Sequence, residues 1–493
     1  MALVLIVCFG ITATAAARPD VPRRGGILRI SDAVATSNLL PWEMLFVTMA
    51  SVMPALETLV MVDRRGRVHG RLAERWEVAR DLSAVTLYLR RGVRFHDGTE
   101  LNAEVVKWNL DKHMEAGQLP MVKAVRVVDR YAVRLDLREW DNTVFSLLSG
   151  PQGLIISPRS FERNGEDWAR WNPVGTGPFR VVRYDRETGA VYRRFEGYWD
   201  RGKPYLDGIE YPFIRDQETQ RAGILAGRLD IANIGARYGY ELSQRGYPVF
   251  AEWNGMNTLI PDSGNPGSPF ADRRVREAVW VALNREAIAQ ALGYGYQQAA
   301  YQAAWPGTDA YVERMEGPRH DPERGRRLLA EAGYPNGFST KLFAHIAVSA
   351  PPELLAIIQQ QLAQVGIRAE IERVPPLRFN EAIRRGWTGL MHYPLTLRGN
   401  YNEWVGSYWM LLPFSSWRRP ALLRQAFEES RRTRVPEPVK LKRLNRILVQ
   451  DFDLIPIVHS KSVYVHQPYV RDTGHLKWHS FVLWNPESAW LAR

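Results

Sequence analysis

The hydrophobic and polar positions change period several times along the chain, and each change predicts a change of element. GGILRI (Gly25 to Ile30) is short and ends apolar, which predicts a strand. After a loop around Pro41-Trp42, Leu45 to Val62 is apolar almost throughout and predicts a helix, with no linker interrupting the region. Between Arg75 and Asp136 the period drops to two. VTLYLR (Val85 to Arg90) alternates, and KAVRVVD and YAVRLDL predict two strands joined tightly at Asp129-Arg130. One helix, Asn102 to Met114, interrupts this β-rich insert. Pro173 to Phe213 is strand-like again, around the turn GTGPF (Gly175 to Phe179) and the aromatic cluster FEGYWD (Phe195 to Asp200).

The next third is richer in helices. Asp321-Pro322 offers a cap residue and a first-turn proline ahead of ERGRRLLAEA, and Gly333 supplies the stop. Leu354, Leu355, Ile358, Leu362 and Val365 share one face of a second helix that Gly366 ends, with the strand IRAEI (Ile367 to Ile371) following. Helix, glycine, strand is the order of an α/β unit. From Trp387 to Trp417 aromatic and polar residues crowd together with no helical or strand period: Trp387, His392, Tyr393, Arg398, Asn400, Tyr401, Trp404, Tyr408 and Trp409. A long irregular stretch of this kind in a compact domain is commonly functional. Strands are expected around Ile455 to Val465 and Lys477 to Trp484, and no internal repeat or low-complexity tract is visible.

Composition narrows the class. A chain of 493 residues exceeds one ordinary core, so two or three packed units are expected. Its 45% hydrophobic and 24% charged residues fit neither a disordered tail nor a polytopic membrane protein. Ala2 to Ile11 is apolar, small residues end at Ala15-Ala16-Ala17, and Arg18-Pro19-Asp20 follows, so residues 1–17 are expected to be a secretory signal with an A-x-A cleavage site. No Lys or Arg precedes the apolar stretch, which makes an upstream start a further expectation. Cys8 is the only cysteine and lies inside this segment, so disulfide and thiol chemistry are not expected after cleavage. Bulky Val7 before Cys8 argues against a lipoprotein anchor. The formal charge of +12 comes from arginines spread along the chain rather than clustered, which points to a solvated basic surface and away from nucleic acid.

Several chemistries lack their motifs. G-x-x-x-x-G-K-[ST], G-x-S-x-G and H-E-x-x-H do not occur, so the chain carries neither a recognisable ATP site nor a recognisable hydrolase centre. His475 and His479 have metal-ligand spacing, but no acidic third ligand is near in sequence, and they are expected to flank Trp478 without metal. His96 beside Asp97 is expected to stabilise the DGT turn. Paired carboxylates for glycosidase chemistry can come from anywhere in a chain, so a secreted carbohydrate-active enzyme stays open as the least favoured alternative.

Taken in order, the blocks GGILRI, Leu39 to Val60, LAERWEV (Leu72 to Val78), LYLRRGVRFHDGTELNAEVVKWNL (Leu87 to Leu110), PVGTGPFRV (Pro173 to Val181), Asn257 to Ile288 and DPERGRRLLAEAGYPNG (Asp321 to Gly337) resemble the extracellular solute-binding proteins of family 5, the oligopeptide, dipeptide and nickel type. RGVRFHDGT (Arg91 to Thr99) carries the resemblance most specifically. It implies an α/β fold: a two-lobed clamp like the type II periplasmic binding proteins, with an inserted accessory α+β domain. On that pattern lobe I takes 18–60, 172–258 and 466–493, the insert 61–171 and lobe II 259–465. It further implies a periplasmic, monomeric, non-enzymatic component of an ABC importer, with no cofactor, metal or nucleic acid. Its partners would be a small-molecule ligand, the membrane permease it touches peripherally, and that permease's ATPase.

The resemblance also nominates ligand contacts. Peptide-binding relatives carry an acidic residue for the peptide amino terminus where this chain has Thr396, Leu397, Arg398 and Gly399, with no Asp. Arg398 would instead suit a carboxylate or phosphate, to which a guanidinium donates two parallel hydrogen bonds. Met44 and Met49 fall in the segment that lines the cleft of nickel-chelate relatives. Tyr393, Asn400, Trp404, Tyr408 and Trp409 complete the candidate set, the tryptophans and Tyr408 as stacking platforms or as core. The leading expectation is a peptide-like or anionic ligand, such as an opine-like or sugar-conjugated compound. A metal-chelate binder of the same fold is the alternative.

Overall fold

The computed structural model describes residues 21–31, 38–44, 46–315, 317–346, 351–397, 399–412, 414–475, 477–478 and 483–493. The expected export signal, Arg398 and His479 lie outside them.

Strand β1 (Ile27–Ser31) buries alternate side chains in the first of three large hydrophobic cores. A separate small unit follows, built on the period-two segments: β2 (Ala73–Val78), β3 (Ala84–Leu89), helix α1 (Ala103–Glu115), β4 (Val122–Asp129) and β5 (Ala132–Leu137). Its antiparallel sheet has the order β2-β3-β5-β4, and Leu87, Val106, Val133 and Leu135 fill its own core. Asn102 caps α1 by accepting a hydrogen bond from the Val105 amide at 3.1 Å, which satisfies an otherwise orphaned helix donor.

The chain then returns to the first body through β6 (Phe179–Asp185), β7 (Gly189–Arg194), β8 (Gly208–Pro212) and β9 (Ile231–Asn233). It leaves along the 13-residue strand β10 (Val249–Pro261). The second body contains α2 (Arg273–Ala282), α3 (Arg285–Gly293), β11 (Gln297–Ala299), α4 (Pro322–Glu331), β12 (Phe338–His345), α5 (Pro352–Gln364), β13 (Ile367–Val374) and β14 (Leu390–Thr396). A helix Pro376–Arg385 precedes β14, helices α6 (Tyr401–Val405), α7 (Ala421–Arg431) and α8 (Pro438–Val449) follow it, and β15 (Ile455–His466) runs back. Asp321 caps α4 as its position predicts, accepting from the Arg324 amide at 2.8 Å.

One 11-stranded sheet threads both bodies in the order β6-β7-β8-β1-β9-β15-β10-β14-β12-β13, with β11 on β15. Strands β15 and β10 sit in the middle, antiparallel from Val249↔Val465 to Leu259↔Ile455. Two sequence motifs meet where the small unit rests on the first body. The His96 ring nitrogen bonds the Gly177 carbonyl at 2.9 Å, and the His96 amide donates to the Gly175 carbonyl at 2.9 Å. His96 therefore joins the two units rather than stabilising its own turn. That turn is held by Asp97, whose Oδ1 accepts from the Thr99 amide at 2.9 Å. A side chain on Gly177 would collide with the Ala55 backbone, so this approach requires glycine.

Beside that joint lies a buried ionic knot. Arg71 pairs with Glu57 at 2.8 Å and with Glu487 at 2.7 Å, and Glu57 also accepts from Thr176, Tyr198 and Trp199 at 2.8 to 2.9 Å. Charges this deep persist only when paired and hydrogen-bonded.

Two further expectations change. Leu45 to Val62 is not one helix: a 3-10 turn Phe46–Thr48 and a single α turn Met49–Val52 give way to strands Glu57–Thr58 and Val60–Val62. A uniformly buried run has no period to distinguish helix from strand. Trp387 to Trp417 is largely regular, with β14, α6 and a π-helical segment Gly406–Leu411. Its side chains face core on several sides, which erases the amphipathic signal. Of the strand expected over Lys477 to Trp484, residues 479–482 lie outside the described residues, and Trp478 forms a bridge to Asp63.

Burial makes stability pH-dependent. It lowers His96, His113 and His459 to about 4, and His392 and His466 to about 3, against about 6.5 when unfolded. The unfolded chain therefore binds more protons below pH 6.5, so this stability is present above pH 6.5 and is lost as pH falls toward 4. Asp262, raised to about 6 by burial, acts in the opposite sense between its unfolded value and 6. Melting temperature measured from pH 7.5 to pH 5 should fall, each histidine contributing at most about 1.4 kcal/mol per pH unit. A profile that stays flat or rises toward pH 5 would contradict the burial of these rings.

Candidate functional site

The two central strands set the site. The first half of β10 pairs with β15 alone, whereas from Gly255 onward it also pairs with β14, beginning at Gly255↔Thr396. Between the two halves the register with β15 slips: Trp253 faces Lys461 and Gly255 faces Ser460, leaving Asn254 as the extra residue of a β-bulge. A bulge bends its strand and re-aims a side chain. This one lies where β10 passes from one body to the other.

Asn254 lines a cavity of about 300 Å³ walled by all three units. The Asp63 to Gly66 turn closes one side, Glu252 to Asn254 form the back, and Pro306 to Asp309, Leu397, Asn400 and Tyr401 belong to the second body. The volume sits at the lower end of the roughly 300–1,000 Å³ typical of small-molecule sites. A larger depression of about 710 Å³ beside Glu286, Tyr301 and His459 is formed by the second body and β15, away from the junction. It cannot read the relative position of the bodies.

The cavity carries more carboxylates than cations. Arg64 and Glu252 form an ion pair across the wall. Burial works against the Asp63 charge, but hydrogen bonds from His69 and Arg67 hold its carboxyl well below the usual range. Asp63 is fully occupied: Oδ1 accepts from the Arg65 and Arg67 amides, and Oδ2 faces Arg67 Nε and His69 Nε2. Asp309 is exposed and makes no ion pair or side-chain hydrogen bond among the described residues.

Of the residues expected from sequence, Asn400 lines this cavity, and Leu397 and Gly399, on either side of Arg398, do so as well. The others lie elsewhere. Met49, Trp404 and Trp409 have no exposed surface, and Met44 and Tyr408 are nearly buried, all within the two large cores. Trp404 meets Trp305 edge-on at 4.9 Å, and Tyr393 packs between Phe379 and Phe414. Placing aromatic faces against neighbouring rings leaves none free to stack on a ligand. Arg64, Glu252, Asn254 and Asp309 had no sequence signal, because only the bulge and the approach of the bodies bring them together.

A second contact between units closes over this region. Asn142 of the small unit donates through its side-chain amide to the Ser430 carbonyl at 2.9 Å, and its own amide oxygen and carbonyl accept from Asn402 and Asn400 at 3.1 Å. Trp140 Nε1 donates to the Thr433 carbonyl at 2.8 Å. Ser146 bonds Glu403 and accepts from the Asn400 amide. Gly399 has φ +50°, and a side chain there would overlap both Ser146 and Glu403. Arg431 inserts among Asp141, Glu139 and Glu428 at 2.7 to 2.8 Å. The arrangement is a polar clasp between the small unit and the second body.

Comparison with known proteins places this geometry. The model of bacterial extracellular solute-binding proteins, family 5 Middle, matches residues 67–416. Glutathione-binding protein GsiB of Salmonella choleraesuis (strain SC-B67) is 32% identical over 325 residues, 63% of this chain and 62% of that protein, so the match spans less than two thirds of the relative's length. The periplasmic binding protein DppA from Helicobacter pylori, in complex with peptide STSA, superposes with a TM-score of 0.82 at 19% identity, covering 96% of this chain and 99% of that one. MoaA from A. tumefacien R10, in complex with mannopinic acid, gives 0.80 at 21% identity, covering 96% and 100%. At these identities the likeness shows the fold, the two-lobed α/β fold of type II periplasmic binding proteins.

The clasp predicts a mechanical phenotype. Truncating a nearly buried, multiply paired charge typically costs roughly 2–5 kcal/mol, and for Arg431 that loss falls on the clasped arrangement. Arg431→Ala should therefore enlarge the radius of gyration of the ligand-free protein in small-angle scattering while far-ultraviolet circular dichroism stays unchanged. An identical scattering profile would show that the clasp does not hold the bodies together.

Proposed function

Since the chain belongs to the bacterial extracellular solute-binding proteins of family 5, we propose that it is the extracytoplasmic substrate-binding component of an ABC importer. On this reading the first body is lobe I, the small unit the accessory insert and the second body lobe II, a division supported by their separate hydrophobic cores. Proteins of this family bind rather than catalyse, and they act outside the cytoplasm. Among the described residues no helix is long and apolar enough to cross a membrane. The carbohydrate-active alternative finds no support among the similar proteins.

One observation carries the proposal: the cavity is walled by all three units and backed by the strand that joins the lobes. A ligand there touches both lobes only when they are together, so its differential affinity favours the closed form, and the permease would read that form. Transport energy then comes from a separate ATPase. The cavity volume suits a compound of di- to tripeptide or opine size, in keeping with the glutathione, peptide and mannopinic acid named for the similar proteins. Arg398 remains part of the proposal as the partner of a ligand carboxylate or phosphate.

A thermal-shift series with glutathione, the dipeptide Met-Leu, mannopinic acid and a nickel–histidine complex tests it. A true ligand at one hundred times its Kd should add about 2.7 kcal/mol of stability, and no rise with any compound alongside turnover of a substrate would overturn the reading. Arg398→Ala should abolish the shift without lowering the unliganded melting temperature, whereas an undiminished shift would remove Arg398 from the site.

A further inference from the structure

One aromatic contact joins the two lobes outside the cavity. Successive residues of a strand project to opposite faces, so Glu252, which pairs with Arg64 across the cavity, and Ala251, which lies beside Val463, face opposite ways. The helix Ala236–Gln244 of lobe I rests on the Val463 face, so close that a side chain at Gly239 would overlap Val463. There Tyr240 meets Tyr294 of lobe II, with ring centroids 6.0 Å apart and planes at 40°. Tyr294 directly follows α3 and has φ +48° and ψ +32°. A left-handed residue at a helix end is ordinarily glycine or asparagine, because a β-carbon there crowds the backbone. Burial does not offset this strain: Tyr294 is 42% exposed and Tyr240 46%, and neither ring belongs to a hydrophobic core. Among the described residues, Tyr240 is the one ring that Tyr294 touches. A bulky residue is thus held in a disfavoured conformation at the surface, where its partner is the other lobe.

We propose that Tyr240 and Tyr294 form a stop that limits how far the lobes open. This rests on the reading of the protein as a two-lobed clamp hinged on β10 and β15. Lobes that separate at the Arg64–Glu252 face turn about these strands, so the opposite face is compressed. Neither ring can withdraw. The helix Ala236–Gln244 is seated on Val463 through Gly239. The turn after α3 is tied down by the Tyr296 amide on the Gly293 carbonyl at 2.7 Å and by the Lys461 amide on the Tyr296 carbonyl at 2.8 Å. Tyr296 also packs against the small core that contains Leu242 of that helix. Wider opening would therefore drive the two rings into each other. The stop opposes the clasp: one fastens the closed form, the other excludes the widest open forms. A ligand-free protein confined nearer its closed form loses less affinity to the conformational change that binding requires.

The test is small-angle scattering of the ligand-free full chain in the Arg431→Ala background, where the clasp no longer masks the stop. A compact chain of this length has a radius of gyration of roughly 23 Å, and adding Tyr294→Gly should enlarge it by on the order of 1 Å beyond Arg431→Ala alone. Tyr240→Ala should give the same increase, and the two together no more than either, because both remove one contact. Tyr294→Trp, which restores a ring, should return the profile to that of Arg431→Ala. The melting temperature separates a stop from a packing contact. Glycine suits the left-handed position, so Tyr294→Gly should leave the melting temperature unchanged or raise it. An unchanged profile for either Tyr294→Gly or Tyr240→Ala, or additive enlargement by the two, would overturn the stop, while opening by Arg431→Ala alone would keep the clamp reading intact. Enlargement by Tyr294→Gly with a lowered melting temperature would mean that the ring holds the fold together rather than limiting its motion, and would overturn the stop as well. If Arg431→Ala and every further variant scatter as the unaltered chain does, neither the stop nor the moving lobes stand.

Discussion

The pairing of β10 with β15 is the constraint on which the molecule depends. These two antiparallel strands carry one sheet through both lobes, so every motion of one lobe against the other must be absorbed in their backbone. A fully regular ladder would resist this, because each residue on either side would be tied at the same point. The structure instead places a bulge at Asn254, where pairing with β14 begins. Register is lost for one residue at the position where the strand changes bodies, and that extra residue, Asn254, lies on the cavity wall. The bulge and the cavity wall are one feature of the backbone.

Closure is held at two places that differ in chemistry. At the cavity, the Arg64–Glu252 pair and Asp309 face one space from different units. At the clasp, Asn142, Asn402 and Ser430 satisfy one another directly, and Arg431 pairs with Asp141. The clasp thus lowers the cost of the closed form before any ligand binds, and the ligand supplies the remainder. A closed state populated in advance raises apparent affinity by removing part of the conformational penalty. It also gives the inserted domain a mechanical role: it is the jaw that meets lobe II, fastened to lobe I through Arg71, Glu57 and Glu487.

Much of the framework was legible in the sequence, and the reasons are local. The hairpin at Asp129-Arg130, the caps at Asn102 and Asp321, and the glycine-ended helix before Ile367 are each specified within a few residues. The run Arg91 to Thr99 identified the family, and its place is now physical: Phe95 is fully buried, Asp97 shapes the turn, and His96 reaches the Gly175 to Gly177 turn. The site was not legible in the same way. Trp404, Tyr408 and Trp409 stood out by composition, yet dense aromatic content marks a core as readily as a cleft, and here they build lobe II around Trp305 and Trp417. Asn400 lies on the cavity wall, where its bonds to Asn142 and Ser146 of the small unit hold it, a placement no local pattern signals. Asn254 sits in an ordinary strand sequence, and its importance arises from a register slip between segments more than two hundred residues apart.

Charge makes the same separation between global and local. A chain with a formal charge of +12 suggests an anionic ligand, and its guanidinium groups are distributed over every unit. Screening reduces their reach to roughly 8 Å at physiological ionic strength, so arginines on distant faces shape encounter and solubility more than they shape the bound state. Within the cavity the balance reverses, because its one described arginine is matched by Glu252 while Asp309 is not matched. A small ligand between the lobes would sample that local field at contact distance, where an unpaired carboxylate outweighs many screened charges on distant faces. Net charge therefore describes the protein's surface, and the polarity of what it carries is set by the few groups that closure brings face to face.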